Sequence, residues 1–588
     1  MPRPARVLFP AVTVGALAHL FVSWMRARGE AAQHRWGLHG LDWLTWERFG
    51  LQPLGNQALI AVGVAGLVAL LVEARAGEKS PLRGLFGLLA NPAVLLLALG
   101  AAWFLPGMVA SNTRPLPRTG SPNLLFVMVD TWRADHAGFL GYDRDVTPRL
   151  DVLTESGVVF ERAISQAPWT KPAVGTLFTG TVPSAHGAVS NPIGGEAVRG
   201  VSLERGQTTF LEVLRARGWE TAAWSSNPNV IPARGFAQGT GAFFDAFNDP
   251  RKPELDHDPG RGEYQIASLR SWLDEHAGGD RPFAAYLHVM DPHYPYEAPP
   301  PYQGTFDQSG LDFNLTGPVC DEYYTGEKDV ADVTPEMLQR ILDIYDEEIL
   351  YTDDHVGALI EDVLRDHPDT VVVLVSDHGE EFLEHGQFGH GIGLWDTLVH
   401  VPLVLWAPTL DPARVPTQVP LMDVPRTVLE LMGQGDRIPS SFSGTSLLPV
   451  IRGAETDHRL APMESGGDGR PSWQWRGISD GSNKVVVRER DLPDWPAPAL
   501  HEWDRDLTDP VHFVFDLETD PGETAGPVAA DDERVVDLLE TMRSANWYVS
   551  PVDLMSGMRA RRVDLGGNRD QLADLGYISR EEADAADE

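Results

Sequence analysis

A single cysteine, Cys320, stands in a chain of 588 residues. That scarcity excludes an intrachain disulfide framework and any zinc cluster built from cysteines. It leaves an extracytoplasmic location open. Basic residues are scarce too: 47 Lys and Arg face 84 Asp and Glu, for a net charge of −37. A chain this acidic repels phosphate backbones, so a nucleic-acid partner is not expected. Only five of the basic residues are lysines, at positions 79, 171, 252, 328 and 484. We read that as genome base composition, not chemistry. Apolar residues, by contrast, are plentiful at 43%, with 9% aromatic. They suffice for a large core and exclude wholesale disorder, and the length implies several structural units.

Formal charge is also missing from three long stretches near the N-terminus. Val7 to Met25, Asn56 to Val72 and Asn91 to Val109 carry none, and each is close to the roughly 20 residues that cross hydrocarbon. A cleavable signal peptide is the alternative for the first stretch. It is disfavoured by the length of the run, by the lack of a small-x-small site before Arg26 and Arg28, and by the further apolar runs that follow. The expectation is a membrane region over 1–110 with about three transmembrane helices. Arg75, Lys79 and Arg83 crowd the short second loop. They favour an inside N-terminus and an extracytoplasmic catalytic part. A proline-rich linker spans 111–121.

Beyond the linker, strand and helix patterns alternate. Asn123 to Val129 (NLLFVMV), Phe283 to Val289 and Thr370 to Ser376 (TVVVLVS) are continuous apolar runs that suit strands buried on both faces of a parallel sheet. A strand through Ala223 and another over His400 to Trp406 join them. Helices are expected at Thr209 to Arg217, about Pro335 to Arg365, and Val424 to Met432. The fold class is therefore α/β, a mainly parallel central sheet flanked by helices over 122–435. After about Gly435 come polar loops and short strands (Lys484 to Val487, His512 to Phe515), read as a smaller, partly antiparallel α+β subdomain over 436–588.

Ligands of open α/β sheets bind beyond the carboxyl ends of the strands, and two of these strands end in metal-type residues. NLLFVMV runs into Asp130, and TVVVLVS into Asp377-His378. Two carboxylates with one imidazole suit one divalent ion, Ca²⁺, Mn²⁺, Mg²⁺ or Zn²⁺. A lone Asp after a strand more often caps a turn, so the pairing carries the reading. Between them Thr170 precedes a proline and a helix of small residues, where unpaired N–H groups face an anion. A threonine hydroxyl becomes a nucleophile once a metal or base lowers its pKa; otherwise Thr170 is a cap. His293, within DPHYPY, and the glycine-flanked His385 and His390 add imidazoles after the strands. Arg133, Lys171 and Arg234 are candidates for local positive charge.

The order of these pieces resembles the sulfatase family of the alkaline phosphatase superfamily. The matching stretches are NLLFVMVDTWRADHAGFLGY (123–142), TPRLDVLTESGVVFERAISQAPWTKPAVGTLFTG (147–180), DPHYPY (291–296), YDEEILYTDDHVGALI (345–360), SDHGEEFLEHGQFGHG (376–391) and FDLETDPGE (515–523), with NRDQLADLGYIS (568–579) similar to the family's ending. The resemblance implies an alkaline phosphatase-like fold and assigns Asp130, Asp377 and His378 as metal ligands. It assigns Thr170 as nucleophile and further ligand, and His293 and His390 as contacts to the anionic group or the leaving group. Lys171, Asn227 and His385 complete the candidate set as substrate contacts.

Three departures from the family pattern matter. Its nucleophile is Cys or Ser in C/S-x-P-S-R, oxidised to formylglycine, whereas threonine oxidation would give a ketone, so no formylglycine is expected. The family's Arg is Val174, and its Lys-Trp-His motif is replaced by Ser225-Ser226-Asn227-Pro228. A Thr nucleophile resembles instead the phosphodiesterases and phosphotransferases of the superfamily. The implied activity is metal-dependent cleavage or transfer of phosphate or sulfate esters, with phosphoesters preferred. The implied substrate is an anionic ester, lipid-linked or part of an envelope glycan. The alternatives are a sulfuric ester hydrolase with an atypical nucleophile and an inactive sulfatase-like binding domain.

Overall fold

A computed structural model describes residues 120–189, 202–249, 260–465, 473–490, 511–529 and 531–545, with Pro117 and Asp258. The three charge-free runs and the tail over 568–579 lie outside the described residues. Among the described residues no helix is long and apolar enough to cross a membrane.

Strands β1 (Asn123–Val129), β2 (Val158–Ile164), β3 (Glu220–Ser225), β4 (Ala242–Asp245), β5 (Phe283–Val289) and β6 (Thr370–Ser376) alternate with helices. Two-residue strands β7 (Glu381–Phe382) and β8 (Phe388–Gly389) pair as a small antiparallel ribbon. Strands β9 (His400–Trp406), β10 (Ala413–Val415) and β11 (Val419–Pro420) complete the central sheet. Its order is β10-β2-β9-β6-β1-β5-β3-β4, with β11 also on β2, nine strands among the described residues. The sheet is mixed: β9 runs antiparallel to both β6 and β2, and the other pairings are parallel.

The alternation of side chains along β1 explains why its run is apolar throughout. Leu124, Phe126 and Met128 enter one core cluster, while Leu125, Val127 and Val129 enter the other, on the opposite face. Helices cover both faces. Phe210–Ala216 starts with a capping box in which Thr209 accepts from the Glu212 N–H and the Glu212 carboxylate accepts from the Thr209 N–H. The helix Pro335–Asp366 begins at a Thr334 cap with Pro335 in its first turn. Because β1, β3, β5 and β6 are parallel neighbours, their carboxyl ends open on one edge.

Strands β12 (Ala461–Glu464), β13 (Trp473–Ser479), β14 (Asn483–Arg490) and β15 (Val511–Asp516) form a four-stranded antiparallel meander. It is pinned to the α/β part by a buried ion cluster. Lys484 Nζ lies 2.5 Å from Asp396 and 2.6 Å from Glu523, and donates to the Leu394 carbonyl at 3.0 Å.

Candidate active site

Asp130 follows β1, and Asp377 and His378 follow β6; all three are fully buried. One ligand atom from each lies within 4.8 Å of the others. Asp130 Oδ1 and Asp377 Oδ2 are buried without a hydrogen-bond partner. Such orphaned carboxylate oxygens are costly unless a cation meets them. His378 donates from Nδ1 to the Gly379 carbonyl at 2.8 Å, since a carbonyl can only accept, and this turns the Nε2 lone pair toward the two carboxylates, 3.5 Å from each. Burial, and next the charge of His390, push its pKa well below the ordinary value, so the ring is neutral, as ligation requires. These residues fit a divalent cation.

The backbone between the ligands is bent to serve them. Thr131 adopts φ 54°, a left-handed conformation that a β-branched residue rarely takes. Its N–H donates to Asp377 Oδ1 at 3.3 Å, and its carbonyl accepts from the Tyr345 hydroxyl at 2.7 Å. Burial raises the proton affinity of Asp130, but the hydrogen bond and charge of His288 lead a set of imidazoles that hold it below the carboxylate range. Asp377 moves the other way, pushed up by burial and then by the Asp130 charge. Two adjacent carboxylates without a counter-ion behave in this way.

Thr170 opens the helix Thr170–Thr179 and is fully buried. Its Oγ1 lies 3.3 Å from His378 Nε2 and accepts from Asn227 Nδ2 at 3.4 Å. The same Asn227 amide donates to Asp130 Oδ2 at 2.7 Å, so a residue just past β3 ties the hydroxyl to the ligand group. Val174, one helical turn on, is fully buried in the apolar cluster.

His293 and His390 lie beside this group. Their ring centroids are 4.9 Å apart, and His390 is 4.5 Å from His378. His293 donates from Nδ1 to the Tyr294 carbonyl at 2.7 Å, whereas His390 Nδ1 lies 2.9 Å from Glu380 Oε1. Burial pushes Glu380 up to about 8, against the opposing influence of His293 and of the Tyr296 hydroxyl bond.

Two substrate-contact candidates stand apart from the group. Lys171 is buried with Nζ 5.2 Å over the Trp169 ring; burial, then the charge of Arg234, push its pKa well below the ordinary value. His385 bonds elsewhere, to Glu381 and to the Gly522 carbonyl at 3.1 Å each, and stacks on Trp395 at 4.3 Å. Its neighbours therefore brace the loop rather than face the ligands.

Sequence reasoning passed over two residues. His288 Nε2 lies 2.9 Å from Asp130 Oδ2. The signal was one imidazole inside the wholly buried run FAAYLHV. Glu380 sits two residues after His378, and its distance in space from His390 is invisible in the sequence.

The family model described as Sulfatase matches residues 122–434. The Ulvan-active sulfatase of Formosa agariphila is 25% identical over 362 residues, covering 57% of this chain and 66% of that protein. Arylsulfatase K of Gallus gallus is 24% identical over 500 residues, 76% of this chain and 86% of that one. Among solved structures, the phosphonate monoester hydrolase of Agrobacterium radiobacter superposes with a TM-score of 0.54 at 20% identity, over 72% of this chain and 95% of its own.

Proposed function

This chain belongs to the sulfatase family of ester-cleaving hydrolases, and from that premise we propose that it is a membrane-anchored, metal-dependent enzyme that uses Thr170 as its nucleophile and prefers phosphate esters. One observation carries the reading: a buried threonine hydroxyl at a helix N-terminus, within 3.4 Å of both His378 Nε2 and Asn227 Nδ2. A divalent cation, when held by Asp130, Asp377 and His378 with Thr170 completing the set, supplies Lewis-acid charge to an anionic ester.

The chain's own residues do the rest. Asn227 fixes the Thr170 oxygen, and the N-terminus of the helix, at the backbone N–H groups of Thr170 and Lys171, faces the non-bridging oxygens. Thr170, already ionised to its alkoxide, attacks phosphorus in line and becomes phosphothreonine; the bond from phosphorus to the ester oxygen breaks, and that oxygen takes a proton from an imidazole, His293 or His390, as it leaves. Water, or an acceptor hydroxyl if the enzyme is a transferase, then attacks from the opposite face and restores Thr170. The N-terminal apolar runs, with Arg75, Lys79 and Arg83 between the second and third, support a site on the extracytoplasmic side, acting on a lipid-linked or envelope-glycan ester.

A second reading, sulfate ester hydrolysis, is favoured by the names of the sulfatase relatives. The losses at Val174 and at Ser225-Ser226-Asn227 weigh against it. The test uses the full-length chain in detergent with added Mn²⁺, Zn²⁺, Mg²⁺ or Ca²⁺. Substrates are p-nitrophenyl phosphate, bis-p-nitrophenyl phosphate and p-nitrophenyl sulfate, with Thr170→Ala and Asp377→Ala as controls. Metal-dependent phosphoester turnover that both variants lose supports the proposal. Turnover of the sulfate ester alone replaces it with the second reading, and silence on all three with no bound metal points to an inactive binding domain.

A further inference from the structure

The two imidazoles beside the nucleophile are not equivalent, because different groups stand behind them. His293 has a backbone carbonyl at Nδ1, and His390 has the carboxylate of Glu380. Glu380 is fully buried and held on every side. Its Oε2 accepts from the Tyr296 hydroxyl at 3.1 Å, its N–H donates to the Thr397 carbonyl at 3.1 Å, and its carbonyl accepts from Arg133 at 3.1 Å. The backbone is thus fixed, and the Tyr296 hydroxyl on Oε2 leaves Oε1 to meet the ring. A carboxylate at Nδ1 fixes the tautomer and stabilises the imidazolium far more than a neutral carbonyl does.

We infer that Glu380 is a positioning residue that makes His390, rather than His293, the proton donor to the leaving oxygen, and that the site is built for esters of poorly leaving alkyl alcohols such as sugar or glycerol hydroxyls. The inference rests on the threonine reading above. For the step to proceed the pair Glu380–His390 must hold two protons, one between Nδ1 and the carboxylate and one on Nε2. As the Thr170 Oγ1–phosphorus bond forms, the bond from phosphorus to the ester oxygen breaks, and its electron pair stays on that oxygen. The Nε2 proton passes to it, the alcohol departs, and the pair becomes singly negative. In the second half, water attacks phosphothreonine and returns a proton to Nε2. Phosphate leaves, and Thr170 ends the cycle as the alkoxide with which it began. An aryl leaving group with a stable anion needs little of this help, whereas an alkoxide needs all of it.

The experiment compares glycerol phosphate with p-nitrophenyl phosphate in the full-length, metal-supplemented chain and reads the ratio of the two turnover rates. General-acid help is worth about 10²–10⁴-fold. Glu380→Gln is therefore expected to lower the alkyl-to-aryl ratio by roughly 100-fold, with Glu380→Asp recovering part of it. His390→Gln reads the same ratio should Glu380→Gln fail to fold, and it should fall there far more than in His293→Gln. A ratio unchanged in both Glu380→Gln and His390→Gln, or one that moves with His293 instead, overturns the inference. If neither ester shows turnover that Thr170→Ala removes, the threonine reading itself has failed, and this inference falls with it.

Discussion

Replacing Asp377 by Asn should stabilise the protein without metal and destabilise it with metal. Asp377 Oδ1 accepts from the His378 N–H at 2.9 Å and the Thr131 N–H at 3.3 Å, and an Asn carbonyl preserves both bonds. The change falls on Oδ2, an orphaned oxygen that, like the orphaned Asp130 Oδ1, lies 3.5 Å from His378 Nε2. In the metal-free protein burial and the Asp130 charge work against ionising Asp377, and the new amide removes that cost while offering Asp130 a donor. A hydrogen bond to a charged group contributes about 1.5–3 kcal/mol, so the apo variant should gain on the order of 2 kcal/mol. With metal the sign reverses. At a free ion concentration one hundred times Kd, binding adds about 2.7 kcal/mol to the wild type, and the variant, short of a charged ligand, loses most of that gain. The assay is thermal unfolding followed by tryptophan fluorescence, in EDTA and in excess Mn²⁺ or Ca²⁺. The reasoning predicts curves that change order between the two conditions. An Asn variant less stable than wild type in EDTA as well would refute it, because the two carboxylates would then not be in conflict without a cation.

Two further predictions concern residues away from the ligands. Asp353, 2% exposed, accepts from the backbone N–H groups of Arg149 and Leu150, and burial raises its pKa from 3.8 to about 7. The folded state therefore holds the proton more tightly than the unfolded chain. Its contribution to stability is full below about pH 4 and is lost as pH rises through 7, by roughly 4 kcal/mol for three pKa units. Urea midpoints between pH 4 and 8 should fall less steeply in Asp353→Asn than in wild type, and parallel curves would count against the assignment. Lys484→Met leaves Asp396 and Glu523 facing one another without their shared ammonium. Breaking a buried pair costs about 3–5 kcal/mol. The variant should unfold at markedly lower temperature, and a second change, Glu523→Gln, should recover part of the loss; no recovery would place the cost elsewhere.

The legible parts of this fold are those where one physical cause dominates. β1, β5 and β6 could be read from sequence to the residue, because strands buried on both faces leave no room for polar positions. β2 was hidden by Glu161 and Arg162 in its middle, where the pairing with β9 shifts register between Phe160 and Ala163. The helix Gly262–His276 was missed as well, although Ile266, Leu269, Trp272 and Leu273 make a buried stripe, because Ser268, Arg270 and Ser271 break up those positions. At the site, strand ends gave Asp130, Asp377 and His378 directly. Glycine-flanked His385 looked much like His390 in sequence, and only the fold shows that Trp395, Glu381 and the Gly522 carbonyl hold it.

What holds the loops of Thr170 and His390 in register lies partly beyond the segment matched by the family model, which ends at residue 434. The loop before Thr170 is fastened to the antiparallel sheet where the Trp169 indole donates to the Ser465 carbonyl and the Glu464 N–H donates to the Gln166 carbonyl at 2.9 Å. The loop carrying His390 is fastened to the same sheet through Lys484, which grips Leu394 and Asp396, and through the Asp396 N–H, which donates to Glu523 at 2.5 Å. The two loops also meet directly, the Gly391 N–H donating to the Pro168 carbonyl at 2.9 Å. The proposed nucleophile and proton donor, which would need to stay within ångströms of a productive geometry, are thus set 220 residues apart in sequence and fastened to one sheet. Drift in that sheet would change how the two loops face each other before it changed any residue of the site, so on the proposed mechanism the sheet sets the distance between Thr170 and His390.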